Sequence, residues 1–332
     1  MERAKLLLIV NRAAARARAA WPRVKGALES ECVRFEACEP STPRETEDAA
    51  RAGAREGFRT IAVVGGDGTL SAAANGYFSP LETLGETESP RAVNPTAALA
   101  IIPAGTGDDF ARGLSGGRRE PLEAWLARLV KRCRAEADAQ NQLESSRAVD
   151  VLQGSVDGGA RRFLCINAAT IGIGAEVASR VSAQGGTVRR LSGEARFALA
   201  AVRSLAAWRN RRVRVRLDDA EWEECETNLL AVVNGAYAGG GMNFSPKASL
   251  TDGLLDVLTV RGLSRVGLVR ELTRVHRGGH LANPKVTLAL GTRVRIETLD
   301  PSDALGIEAD GDPRGHTPAD FRVMPAALRV VV

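Results

Sequence analysis

Gly65-Gly66-Asp67-Gly68-Thr69 is the segment whose residue types and spacing are best suited to phosphate chemistry, and it follows the aliphatic run Thr60-Ile61-Ala62-Val63-Val64. Glycines let backbone N–H groups approach phosphate oxygens closely. A helix starting near Thr69 would turn the positive end of its dipole toward them. Asp67 would repel phosphate, so it reads as a carboxylate acting through Mg²⁺ or on a substrate hydroxyl, or as the cap of a tight structural turn. The chain has no Gly-x-x-x-x-Gly-Lys-Ser/Thr loop. It also lacks the His-Arg-Asp and Asp-Phe-Gly signatures of protein kinases. Five cysteines, Cys32, Cys38, Cys133, Cys165 and Cys225, fit no metal or redox spacing and read as thiols in a reducing compartment. The three histidines, His276, His280 and His316, sit in no zinc pattern.

The elements that must position these residues change character along the chain. Its 332 residues make two domains the default expectation. Leu6–Val10, Val33–Ala37, Thr60–Val64 and Ala97–Ile102 read as buried strands, with helices over Ala17–Glu29 and Glu45–Arg55 between them. That alternation predicts a parallel sheet covered on both faces, with ligands at the loops beyond the strands' carboxyl ends. Ser79–Thr96 reads as an inserted surface loop, Leu122–Arg134 as a helix and Ala135–Ser146 as a polar crossing. Beyond residue 147 short strands dominate: Val149–Val156, Arg161–Ala168, Arg212–Leu217, Thr227–Val233, Leu254–Val260, Lys285–Leu290 and Arg293–Thr298. Helices interrupt them near Glu194–Trp208 and Ser264–His276. The expectation is an α/β plus β protein: a parallel α/β nucleotide-binding domain over 1–146, then a β-sandwich-like domain over 147–332 whose last strand returns toward the hinge.

Composition sets outer limits. Hydrophobic residues at 44% and charged residues at 26% are those of a globular chain, and the net charge of +5 is too small to name a partner. Leu6–Val10 is too short for the apolar core of a signal peptide, and no stretch approaches the ~20 apolar residues of a membrane span. The expectation is a cytoplasmic protein whose membrane contact is peripheral.

A second motif, Ile102-Pro103-Ala104-Gly105-Thr106-Gly107-Asp108-Asp109-Phe110-Ala111-Arg112, gives the first a family context. Together they resemble the bacterial diacylglycerol/lipid kinase family, whose glycine motif is shared with sphingosine kinases and NAD kinases. The resemblance continues through Asn234-Gly235, Gly239-Gly240-Gly241, Pro246-Lys247-Ala248, Asp252-Gly253-Leu254, Asp310-Gly311-Asp312-Pro313 and Met324–Leu328. It implies an ATP-dependent lipid kinase acting on a hydroxyl of a diacylglycerol, sphingoid or ceramide type of lipid. It also implies an ATP site of Asn11, Thr42, Gly65, Gly66, Asp67, Gly68, Thr69, Gly105, Thr106 and Asp109. By the same resemblance Asp252 holds Mg²⁺ with backbone oxygens of Ser249 and Leu254, and hard oxygen ligands suit that ion. Asp252-Gly253 also reads as a β-turn before a strand, and the two readings are compatible. Asp312 is the first choice for the general base and Asp67 the second.

The chain departs from the family pattern at three places. Asn11-Arg12-Ala13-Ala14-Ala15 lacks the usual Pro and Gly after the first strand, Asp108 replaces an Asn, and Asp312 stands where the family carries Glu. The alternatives are therefore an NAD kinase-like enzyme or an inactive lipid- or nucleotide-binding regulator. Arg189, Arg190, Arg196, Arg203, Arg209, Arg211, Arg212, Arg214 and Arg216, with Trp208 nearby, read either as a seat on anionic lipid headgroups or as a solvated face. Aromatic residues are too scarce for nucleic-acid binding. A homodimer is compatible with the sequence, and the acceptor lipid leaves no motif.

Overall fold

Five consecutive buried aliphatic residues cannot form one face of an amphipathic helix, and Leu6–Val10 forms a fully buried strand, β1. The computed structural model describes residues 6–85, 88–135, 144–184 and 193–332. These divide into two compact units, one comprising the chain to Val151 together with Pro325–Val332, the other Leu152–Met324.

In the first unit, α1 (Ala15–Ser30), β2 (Phe35–Cys38), α2 (Pro43–Arg55), β3 (Thr60–Gly65), α3 (Asp67–Tyr77) and β4 (Ala98–Pro103) follow β1. Then come α4 (Asp109–Leu114), α5 (Leu122–Arg134) and β5 (Ser146–Val156), whose residues from Leu152 on belong to the second unit. The sheet order β2-β1-β3-β4 is parallel throughout. The last strand, β17 (Ala319–Val331), joins β4 in parallel at Val330 and Leu99. The order reverses between β1 and β3, so the loops after these two strands flank the switch point where such sheets bind ligands. The inserted loop before β4 carries one short helical turn, Leu81–Thr83, and an isolated bridge between Phe78 and Ala92. Most of the expected polar crossing lies outside the described residues.

The second unit is a set of antiparallel strands. In it are β6 (Arg161–Cys165), β7 (Ala168–Gly172), α6 (Ile173–Ala183), α7 (Gly193–Ala207), β8 (Arg211–Leu217) and β9 (Glu223–Val233). The short pair β10 (Tyr237–Ala238) and β11 (Met242–Asn243) precedes β12 (Leu255–Arg261) and α8 (Arg265–Val275). The unit closes with β13 (Val286–Gly291), β14 (Arg293–Thr298), β15 (Gly306–Ala309) and β16 (Asp312–His316). β9 is the central strand, pairing with β7, β8 and β12. Its inner face packs Leu230 and Val232 with Ile171, Val257, Ile307 and Phe321 in one buried cluster.

The structure departs from or adds to the sequence reading at three places. The strand expected over Arg161–Ala168 is two strands, broken at Ile166-Asn167, where the backbone N–H groups turn to Asp310. Ile173–Ala183 is a helix the sequence reading missed. Gly306–Ala309 and Asp312–His316 form a hairpin, because Asp310 (φ 51°) and Gly311 (φ 94°) both take the positive φ of a two-residue primed turn. Among the described residues no helix is long and apolar enough to cross a membrane.

Candidate active site

At the carboxyl ends of the parallel strands, local chemistry explains each loop. Gly66 follows β3 in extended backbone and caps α3, which begins at Asp67, two residues earlier than expected. A Cβ on Gly66 would lie 2.9 Å from the Cα of Gly105, and one on Gly105 would lie 2.6 Å from the Cα of Gly66. The two glycine loops therefore touch backbone to backbone, an approach that any side chain would prevent. Gly68 differs, since a Cβ there meets nothing within 4 Å.

Asp67 joins the loops. Its Oδ2 accepts the N–H of Asp109 at 3.1 Å and its Oδ1 the N–H of Phe110 at 3.1 Å. A carboxylate against the first N–H groups of α4 also complements that helix's dipole. Asn11, beyond β1, donates its side-chain amide to the Thr69 hydroxyl at 2.9 Å and accepts the Ala14 N–H on its Oδ1. Thus Asn11, Gly65–Thr69, Gly105 and Asp109 form one connected group. Thr106 is exposed beside them, and its carbonyl accepts from Arg119 at 2.7 Å. Thr42 lies beyond β2 and caps α2, its hydroxyl accepting the Glu45 N–H at 3.1 Å.

The departures from the family pattern acquire physical reasons. Asp108 has φ 51°, a left-handed conformation that Asp and Asn both tolerate, so Asp keeps the turn an Asn would make. Its Oδ1 accepts the Gly105 N–H at 2.8 Å. Burial raises the Asp108 carboxyl above the usual range, the Gly105 bond opposes this, and the nearby Asp67 charge adds to the rise. Arg12 turns to Glu39 at 3.1 Å rather than toward the glycine loops. Two other arginines that the sequence reading did not single out reach these loops. Arg16 donates to the Gly105 carbonyl at 2.7 Å, and Arg119 to those of Thr106 and Gly107.

The motifs of the second unit also converge. Asp310 accepts the N–H groups of Ile166, Asn167 and Ala168 at 2.9, 3.0 and 3.3 Å, and the Cys165 thiol at 3.2 Å. Burial, then the Asp310 charge, pushes that thiol's pKa well up, so it stays a neutral donor. Asn234 donates to the Ile166 carbonyl at 2.8 Å, and Asn167 to that of Tyr237 at 2.6 Å. A Cβ on Gly235 would lie 2.3 Å from the Asn167 side-chain oxygen. The loops carrying Asn234-Gly235 and Asp310-Gly311 are thus stitched through Ile166-Asn167.

Asp312 follows the hairpin turn, is exposed, and lies 3.5 Å from the Arg314 guanidinium. Glu308, across the hairpin, was not anticipated. It accepts the Thr170 hydroxyl at 2.7 Å and the Gly311 N–H, and burial pushes its pKa up to about 7. A half-buried carboxylate between two such neighbours leaves no local sequence signal. Asp252 is exposed, its Oδ1 accepting the Leu254 N–H at 3.1 Å. Asp256 is buried, and desolvation raises its pKa, with a further contribution from the Asp252 charge. Carboxylate oxygens such as those of Asp252 and Asp256 are donors of the kind a hard cation takes. Among the described residues no group of three or more His, Cys, Asp or Glu could hold a metal.

The basic segment is largely paired. Arg209 and Arg211 meet Asp303, Arg212 meets Glu224, and Arg214 meets Glu297 and stacks on Trp222. Trp208 packs against the core. Arg189 and Arg190 lie outside the described residues.

Comparison with known proteins shows the family of the chain. Residues 5–141 match the diacylglycerol kinase catalytic domain, and residues 168–332 the YegS C-terminal NAD kinase beta sandwich-like domain. The "Probable lipid kinase YegS-like" protein of Pseudomonas aeruginosa (strain UCBPP-PA14) is 31% identical over 82% of this chain and 76% of its own. The "Diacylglycerol kinase" of Mycobacterium tuberculosis (strain CDC 1551 / Oshkosh) is 28% identical over 83% and 77%. The crystal structure of a diacylglycerol kinase from Bacillus anthracis str. Sterne superposes with a TM-score of 0.66 at 18% identity, covering 100% of this chain and 97% of that one. The chain belongs to the diacylglycerol and lipid kinase family.

Proposed function

We propose that the protein is an ATP-dependent lipid kinase that transfers the γ-phosphoryl group to a hydroxyl of a diacylglycerol, sphingoid or ceramide type of lipid. The observation that carries this reading is the contact of two glycine loops, Gly65–Thr69 and Gly105–Asp109, held together by both oxygens of Asp67. Glycine-rich loops at the carboxyl ends of a parallel sheet suit a nucleotide's phosphates. In this reading Asn11 and Thr69 fix the first loop, Thr106 and Asp109 belong to the second, and Thr42 extends the nucleotide site beyond β2. Arg16 and Arg119 brace the second loop through its carbonyls, and Asp67 keeps the register between the loops.

In the second unit, Asp312 is the proposed general base, taking the lipid hydroxyl's proton as oxygen attacks phosphorus and ADP leaves. Asp67 is the second choice, because both its oxygens already accept backbone N–H groups. Asp252, with the backbone oxygens of Ser249 and Leu254, is the proposed Mg²⁺ site, and Asp256 adds negative potential there. The ion would supply neutralisation of phosphate charge. The remaining catalysis is positioning, which suits phosphoryl transfer. We place the enzyme in the cytoplasm, in peripheral contact with an anionic membrane surface.

The test is transfer from γ-labelled ATP by the purified protein and its Asp67→Asn variant. Labelled lipid with the wild type and at least a ~10²-fold loss in the variant are expected. Equal turnover in both would remove Asp67 from the site.

A further inference from the structure

Five large hydrophobic side chains are exposed among the described residues, and three of them sit on one helix: Val266 at 80%, Val269 at 46% and Leu272 at 43%. That helix, α8, reads Arg265-Val-Gly-Leu-Val-Arg-Glu-Leu-Thr-Arg-Val275. At about 100° per residue, its exposed positions form one continuous arc of roughly 160°. The three apolar residues share this arc with Arg265, Arg270 and, just past the helix end, Arg277. No acid lies on it. The helix's only acid, Glu271, is on the opposite face, buried at 7% and bonded to Arg274 and Asn283.

We infer that α8 is the element that seats the protein on an anionic lipid bilayer. Exposed aliphatic side chains interleaved with arginines are the pattern of a helix lying in the membrane interface. Its apolar face enters the headgroup boundary and its cations meet lipid phosphates. Charge complementarity selects this occupant: a surface free of acid and carrying three arginines is matched by a negative bilayer, and a second copy would bring like charges together. This placement rests on the lipid-kinase reading and moves the membrane contact away from the Arg209–Arg214 segment, whose cations are committed to Asp303, Glu224 and Glu297.

The position of α8 gives the contact a purpose. Directly beyond its last turn, His276 Nδ1 lies 3.2 Å from the Gly241 carbonyl oxygen, and His280 Nε2 lies 3.1 Å from that of Phe244. A Cβ on Gly278 would touch the Pro246 ring at 2.6 Å. The segment Gly239–Pro246, which carries the Gly239-Gly240-Gly241 motif and begins the next, is therefore packed against the end of the docking helix. A bilayer held on α8 would lie beside this loop of the second unit.

The experiment is co-sedimentation of the full chain with vesicles of phosphatidylcholine alone and of equal parts phosphatidylcholine and phosphatidylglycerol, at low and high salt and without ATP. The variants are Arg270→Gln/Arg277→Gln and Val266→Ser/Val269→Ser/Leu272→Ser, each checked for a native circular dichroism spectrum. Binding of the wild type should rise with phosphatidylglycerol and fall with salt. The arginine pair should cost about 25-fold in partitioning, since each cation near an anionic surface contributes about fivefold. The apolar trio should cost about tenfold or more.

Wild-type-like partitioning of both variants overturns the inference, as does equal wild-type binding to neutral and anionic vesicles. So does a wild-type dimer in sedimentation velocity that the apolar variant abolishes while vesicle binding is absent, because a second copy would then cover α8. Phosphorylation of a dispersed short-chain diacylglycerol, measured alongside, should be unchanged in both variants. Its absence in the wild type counts against the kinase reading and leaves the vesicle result to decide α8.

Discussion

Gly66→Ala and Gly68→Ala differ by two positions and should have different consequences. The new methyl of Gly66→Ala would lie 2.9 Å from the Gly105 Cα, whereas ordinary contact begins at 3.4 Å, so the two loops must separate by about 0.5 Å. Both bridges from Asp67 are 3.1 Å long, and such a displacement carries them beyond hydrogen-bonding range. Losing one or both charge-assisted bonds should cost roughly 2–4 kcal/mol of stability. If the loops stay paired by distorting instead, a half-ångström error in phosphate position should cost about tenfold in kcat, scaled from ~10²-fold per ångström. Gly68→Ala introduces a methyl with no neighbour within 4 Å, inside the first turn of a helix. Its stability should be unchanged or slightly raised. The assay is thermal unfolding together with kcat and KM for ATP on one preparation of each variant. A Gly66→Ala protein with wild-type unfolding temperature and wild-type kinetics would refute the coupling of the two loops.

Other outcomes follow from individual carboxylates. Asp312→Asn should lower kcat by ~10²–10⁴ with little change in KM for ATP, the range for a lost general base. Asp312→Glu should retain turnover, and a normal kcat in Asp312→Asn would move the base to Asp67. Asp252→Ala should raise the Mg²⁺ concentration needed for half-maximal rate more than KM for lipid, and an unchanged requirement would leave Asp252 as a turn former only. Glu308 has a folded pKa raised to about 7 from an ordinary 4.5, so its contribution to stability is fully present below about pH 4.5 and is lost as pH rises through 7. Between those limits the wild type should gain stability on acidification relative to Glu308→Gln; parallel unfolding-temperature profiles of the two proteins would contradict this.

The buried strands of the first unit were legible because burial on both faces of a parallel sheet demands unbroken aliphatic runs such as Leu6–Val10 and Thr60–Val64. The glycine loops were legible for a related reason: close backbone approach excludes every other residue. What escaped was long-range. Glu308 and Asp310 take partners 138 to 145 residues away, so nothing adjacent in sequence marks Glu308 or shows what Asp310, though part of a motif, holds together. The break at Ile166-Asn167 was hidden inside an apolar run because its cause, the Asp310 carboxylate, comes from a distant hairpin. The arginine segment left a lipid seat and a solvated face both open because its partners are distant: Glu224 and Glu297 arrive through strand pairing and Asp303 from the turn at Pro301–Asp303. The exposed face of α8 was equally invisible, since Val266, Val269 and Leu272 look like core residues until burial is known.

The most direct test of the lipid-kinase reading is to incubate the purified full chain with γ-labelled ATP, Mg²⁺ and separate dispersions of diacylglycerol, sphingoid base, ceramide and phosphatidylglycerol, with NAD as a soluble competitor. The products are resolved by chromatography and identified by mass spectrometry. The expected result is label on one class of lipid, as a phosphomonoester at its hydroxyl, with NAD unmodified. Label on NAD alone, or ATP bound without transfer to any acceptor, would contradict it.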